Sequence, residues 1–155
     1  MAETFHFEVV EPDRVLWHAA VESVVVTTQG AGEVGILAHH IPYIARVEPG
    51  FVDLVDEEGQ RHIFAVSGGI LSVGEEETNV LTRFARRPEE IDIEACRATV
   101  AQLHDQAVLL HVRANSPELL KSKPLSDAEF DVRRRYDRSL AQVRTYERLH
   151  GRETH

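Results

Sequence analysis

Residues 80–110 read VLTRFARRPEEIDIEACRATVAQLHDQAVLL, and the period of the apolar residues changes at Pro88. Beyond it, Ile93, Cys96, Val100, Leu103, Ala107 and Leu110 recur at steps of 3, 4, 3, 4 and 3, which lines them up on one helix face. Asp92 stands where an N-cap belongs. Before Pro88 the pattern is different: from Phe5 to Phe84 the chain runs in short stretches rich in Val, Ile, Phe and Thr, each closed by a turn signal. Phe5, Phe7 and Val9 alternate with His6, Glu8 and Val10; Pro12-Asp13 turns the chain; Val21 to Thr28 is a β-branched run; and Gly30-Ala31-Gly32 breaks it. After a loop containing glycine and histidine come Tyr43 to Val47, a Pro49-Gly50 turn, Phe51 to Val55, an Asp56-Glu57-Glu58-Gly59 turn, and His62 to Val66. That spacing leaves no room for helices and predicts a sandwich of about ten strands.

Downstream, Asn115-Ser116-Pro117 ends the first helix and a connector runs to Pro124. Ser126-Asp127-Ala128-Glu129 has the form of a capping box and opens a second helix, which runs through about Leu149 with Gly151 as its stop. Val132, Tyr136, Leu140, Val143 and Tyr146 supply its apolar stripe. The expected fold is α+β: an all-β sandwich over residues 1–87, then an antiparallel two-helix hairpin over residues 88–155. Charge divides at the same place. Residues 1–87 carry 14 acidic and 6 basic side chains, residues 88–155 carry 12 and 11.

The 155 residues are enough for one compact domain with an appendage, and a charged fraction of 28% is that of an ordinary globular protein. A net charge of −9 argues against nucleic acid, whose phosphates need clustered cations. The single cysteine, Cys96, cannot form an internal disulfide, so a reducing setting is expected. MAETFHFEVV at the start lacks the basic and apolar regions of a signal peptide, and no stretch approaches the ~20 apolar residues of a membrane-spanning helix.

Catalytic patterns are not evident. Nine histidines, with His39-His40, His18 and His62 in the β-rich part, invite a cupin-like metal reading, but no His-x-His pair or tightly spaced third ligand accompanies them. Ser67-Gly68-Gly69 lacks the flanking residues of a nucleophile elbow, Cys96 falls on an apolar helix stripe, and no phosphate-binding glycine loop occurs. A free-standing β-sandwich ligand-binding protein or metal enzyme is the alternative to a non-catalytic role.

Four segments, in order and at consistent spacing, resemble the epsilon subunit of bacterial F-type ATP synthases, whose mitochondrial equivalent is called delta. Gly32-Glu33-Val34-Gly35-Ile36-Leu37 with His40 and Pro42 is similar to the family's GELGI-x-PGH-x-P loop. Glu48-Pro49-Gly50-Phe51-Val52 and Val66-Ser67-Gly68-Gly69-Ile70-Leu71-Ser72-Val73 match two further family segments, and Ile93-Glu94-Ala95-Cys96-Arg97-Ala98 resembles the I/L-D-x-x-R-A motif of the first C-terminal helix. Ala38-His39 replaces the family's Pro-Gly, Arg83 stands where an acidic residue is common, and Glu94 replaces the motif aspartate.

The resemblance implies a subunit with no catalytic residues of its own that links the gamma subunit to the membrane c-ring, so that proton or sodium flow drives ATP synthesis. It implies a peripheral position on the cytoplasmic face of the inner membrane, held there by the complex. Glu33, Gly35, Ile36, His40 and Pro42 are the residues expected at the gamma and c-ring interface. Arg133, Arg134, Arg135, Arg138 and Arg144 make the second helix cationic, the right sign for an inhibitory contact with the alpha and beta subunits. Glu94, Arg97 and Ala98 occupy the motif that binds regulatory ATP in some relatives; the longer Glu94 side chain displaces the carboxylate, so no tight ATP binding and no cofactor are expected.

Overall fold

The computed structural model describes residues 2–151; residue 1 and residues 152–155 lie outside the described residues. Eight strands come first: β1 (Phe5–Glu11), β2 (Arg14–Thr28), β3 (Gly32–Leu37), β4 (Tyr43–Asp56), β5 (Arg61–Val66), β6 (Gly69–Val73), β7 (Glu77–Leu81) and β8 (Ala85–Arg86). A 3-10 turn at Pro88–Glu90 leads to α1 (Ile93–Ala114), α2 (Pro117–Ser122) and α3 (Asp127–His150).

Two long strands account for there being eight strands where the turn signals predict about ten. β2 and β4 each serve both layers. The first half of β2 pairs with β1, and its second half pairs with β3 and with β4. β4 pairs with β6 over Tyr43–Val47, then with β5 over Gly50–Val55. Pro49-Gly50, read from sequence as a turn, therefore lies inside β4, where the strand passes from one partner to the next and a missing ladder donor is tolerated. The order β3-β2-β1-β7-β6-β4-β5-β8, with the extra β2–β4 pairing, closes a ring through β2, β1, β7, β6 and β4. β1 and β7 run parallel; the other pairs are antiparallel.

Alternation along the strands fills the interior. Phe7, Val9, Val21, Val24, Val26, Ile36, Val52, Leu54, Phe64, Val66, Leu71 and Val80 are fully buried inside; on β4 and β5 the alternate residues Phe51, Asp53, Ile63 and Ala65 are buried too, on the face where α3 packs. The β5–β6 corner is the tightest place in the fold. Gly69 has φ 146°, and a Cβ there would lie 2.0 Å from the Leu81 carbonyl oxygen. Thr82 Oγ1 donates to the Gly68 carbonyl at 2.6 Å and closes the corner.

The helices begin where local chemistry says they should. Ala95 N–H donates to Asp92 Oδ1 at 3.1 Å. Glu129 N–H donates to Ser126 Oγ at 3.2 Å, and Ser126 N–H donates back to Glu129 Oε2 at 2.8 Å, completing the capping box. The connector after Asn115 holds α2, a helical turn started by Ser116 and Pro117, so the C-terminal part has three helices in place of the expected two. Cys96, Leu103, Ala107 and Leu110 of α1 are buried, and α1 packs on α3. Only α3 packs broadly on the sheet, across β4 and β5.

Candidate interaction surfaces

Strand register places a mixed apolar and polar surface on the outside of the ring. Arg46, Ile70 and Leu81 are cross-strand neighbours on β4, β6 and β7, and Ile44, Ser72 and Asn79 form the row beside them. Ile44 is 76% exposed, and Ile70 and Leu81 are nearly half exposed. The end of β3 adds Leu37, 62% exposed, and the loop joining it to β4 adds Ile41, 73% exposed. Large aliphatic side chains gathered in this way mark a surface built to be covered.

The residues expected at an interface divide around this strip. Glu33 and Gly35 are exposed on the outward side of β3 with Leu37, and Pro42 is exposed in the loop. His40 is half-buried, and its Nδ1 donates to the Ile41 carbonyl at 2.7 Å. Ile36 is the correction: it points inward and is fully buried, so it packs the core and cannot touch a partner. Leu37, Ile41 and Ile44 were missed because a single exposed aliphatic carries no signal in sequence. Gly30 and Gly32, at φ 91° and 70°, shape the preceding β2–β3 turn.

A second surface is the seat of α3. Its apolar stripe at Val132, Tyr136, Leu140, Val143 and Tyr146 is only half-buried. The face toward the sandwich is another one, Arg138, Ala141, Thr145 and Arg148, with Ala141 and Thr145 wholly inaccessible. Polar groups hold it. Arg144 Nη1 donates to the Pro49 carbonyl at 2.5 Å, while Thr145 Oγ1 donates to the Ala141 carbonyl of its own helix at 2.8 Å and lies 3.4 Å from the Gly50 carbonyl. Arg148 donates to Asp53 Oδ2 at 3.0 Å and to Glu33 Oε1 at 2.7 Å, and lies over the Phe51 ring at 4.4 Å. Asp53 also takes both arms of Arg61 at 2.9 Å. Burial pushes the Asp53 carboxyl up, but the hydrogen bonds and charges of Arg61 and Arg148 outweigh it and hold the group below its ordinary value.

The remaining arginines of α3 do not form one free face. Arg133, Arg134 and Arg138 line a cleft of about 650 Å³ with Arg46 and Arg83, and Arg138 lies 4.9 Å over the Phe84 ring. Asp137 lines the same cleft, where burial raises its carboxyl above the usual range despite Arg133, His111 and Arg144 nearby. Arg135 is exposed. Glu94, Arg97 and Ala98 lie exposed on α1, outside that cleft, with Arg97 5.6 Å from the Tyr146 ring centre. At the opposite end of the hairpin, Arg113 of α1 pairs with Glu129, and this with the Ser126 N–H lowers the Glu129 carboxyl to about 2.

The histidines considered from sequence as a metal set are dispersed. His39 pairs with Glu3, His62 donates to Asp56 at 2.8 Å and lies 4.4 Å from the Trp17 ring, and His18 adjoins His6. The cupin-like grouping of His18, His39, His40 and His62 does not form.

A sandwich with an outward strip of aliphatics, carrying a helical hairpin on a polar seat, defines a two-part adaptor that works by contact. Residues 4–88 match the family model described as the ATP synthase Delta/Epsilon chain beta-sandwich domain. The chain belongs to the ATP synthase delta/epsilon family. It is 36% identical over 102 residues to the ATP synthase epsilon chain of Dichelobacter nodosus, covering 66% of this chain and 71% of that one. The epsilon chain of Nitrosococcus oceani is 37% identical over 108 residues (70% and 76% covered), and that of Alkalilimnicola ehrlichii is 26% identical over 149 residues (96% of each). A chain in the cryo-EM structure of the Euglena gracilis mitochondrial ATP synthase shares the fold at a TM-score of 0.64 and 21% identity, covering 94% of this chain and 81% of that one. A chain of the Tetrahymena thermophila mitochondrial ATP synthase central stalk and c-ring shares it at 0.51 and 12%, with 96% and 97% covered. These relationships favour the central-stalk reading over a free-standing metal enzyme. No helix among the described residues is long and apolar enough to cross a membrane.

Proposed function

We propose that the chain serves an F-type ATP synthase as its epsilon subunit, a contact-making part of the central stalk with no chemistry of its own. The β-sandwich, residues 1–87, binds the gamma subunit and the c-ring, and the helical unit, residues 88–155, regulates hydrolysis by meeting the alpha and beta subunits. The protein sits peripherally at the cytoplasmic face of the inner membrane, held there by its partners. The observation that carries this reading is the strip of Leu37, Ile41, Ile44, Ile70 and Leu81, five large aliphatics that are 45–76% exposed. Gly35, His40 and Pro42 extend that contact, and Glu33 stands at its margin beside the seat of α3.

Substituting Ile41→Asp together with Ile44→Asp places two charges in the strip without touching the core. Co-purification of the full chain with gamma should fall at least about tenfold, as expected when apolar anchors are replaced in a buried contact. An undiminished yield of complex would refute the assignment of this face.

Arg138, Arg144 and Arg148 are engaged with the sandwich in this conformation. An inhibitory contact therefore requires α3 to leave its seat, and the carboxylates of Glu33 and Asp53 would then be replaced as partners by acidic groups of the catalytic subunits.

A further inference from the structure

The outer face of β1 brings together residues that sequence distance keeps apart. His6 and Glu8 alternate outward from Phe7. In the ladder, His6 lies opposite Glu77 of β7, and Glu8 lies opposite His18 of β2. One ligand atom each from His6, Glu8 and Glu77 lies within 4.8 Å of the other two. The Nε2 atoms of His6 and His18 are 2.9 Å apart, with ring centres 4.2 Å apart. We propose that His6, Glu8 and Glu77, with His18 as the fourth donor, form a surface site for one divalent transition-metal ion of the zinc type.

The geometry suits such an ion. Ligand bonds of about 2.0–2.2 Å in a tetrahedral shell set donors roughly 3.4 Å apart; the donor atoms of His6, Glu8 and Glu77 lie within 4.8 Å of one another, and His18 adjoins them through its 2.9 Å approach to His6 Nε2. Two imidazoles and two carboxylates select zinc-like ions over calcium and magnesium, which prefer shells made of oxygen.

The site is structural in kind. It ties β2, β1 and β7 together on the face that also carries Leu81 and Ile70, and it has no buried pocket in which a substrate could react. It is independent of the proposed role in the stalk.

The test is calorimetric titration of the full-length chain, stripped with chelator, using Zn²⁺ and separately Mg²⁺. One Zn²⁺ per chain should bind with a dissociation constant in the micromolar range or tighter, and Mg²⁺ should give no saturable heat. His6→Ala and Glu77→Gln should each weaken Zn²⁺ binding by at least the roughly 10–100-fold that loss of an outer-shell partner costs. A variant with His39→Ala, His40→Ala and His62→Ala should bind as the parent does. Glu77 is exposed at the start of its strand, so Glu77→Gln keeps the fold even if His6→Ala does not. Absence of a saturable 1:1 site, or unchanged affinity in Glu77→Gln, would overturn the assignment.

Discussion

Arg148 joins carboxylates that come from two different strands, Asp53 of β4 and Glu33 of β3, while its plane covers Phe51. Asp53 is itself nearly inaccessible, so losing Arg148 leaves a buried charge with Arg61 as its remaining partner. Arg148→Ala should weaken the seat by roughly 1–3 kcal/mol, the worth of a charge-assisted hydrogen bond. Amide exchange along α3 should accelerate correspondingly, while the sandwich strands keep their protection. Acid should act at the same place. Because the folded Asp53 carboxyl is held below its unfolded value near 3.9, its contribution is present above about pH 4 and is lost as pH falls through the lower folded value. Protection of α3 amides, corrected for the intrinsic exchange rate at each pH from 6 down to 3, should therefore fall below about pH 4, and an α3 whose protection is unchanged over that window would contradict the sign. At the β5–β6 corner, Gly69→Ala drives a methyl into the Leu81 carbonyl at a backbone angle unfavourable for alanine. It should cost about 2 kcal/mol or more, read as a lowered midpoint in urea unfolding.

Elements were legible in proportion to how local their signals are. Asp92 and the Ser126–Glu129 box mark the starts of α1 and α3 because each cap is satisfied within three residues. Pro49-Gly50 misleads for the opposite reason: whether it turns the chain or lies within a long strand depends on partners far away, β6 on one side and β5 on the other. Ser116-Pro117 reads as a stop for α1 and is also the start of α2. The seat of α3 was hidden from hydropathy, since its contact face is made of Arg138, Ala141, Thr145 and Arg148 and the apolar stripe faces elsewhere. The His6-x-Glu8 pair was readable as two donors on one strand face, but Glu77 and His18 join it only through register.

For the whole molecule, the difference between the two units is one of how they are held. The sandwich rests on a closed ring with a continuous aliphatic interior, whereas the hairpin rests on the sandwich through a small apolar floor at Phe51, Ile63 and Ala65 and a set of arginine contacts. Contacts of that kind exchange for equivalent ones elsewhere, which an interior of valines does not. Deleting residues 89–155 should therefore leave the sandwich folded and the chain assembled with gamma, and should raise ATP hydrolysis by the complex severalfold. Hydrolysis that stayed at the level of the intact complex would remove the regulatory role of the helices and leave the stalk role standing.

β4 carries Ile44 near one end and Gly50 and Asp53 toward the other, without interruption. Strain applied where a neighbouring subunit grips the outer strip thus travels through roughly 30 Å of peptide bonds to the carbonyl and carboxylate that clasp α3. Under the proposed role in the stalk, torsion in a turning shaft would be felt at the clasp as a displacement of the chain itself, which would couple grip at one end to release at the other.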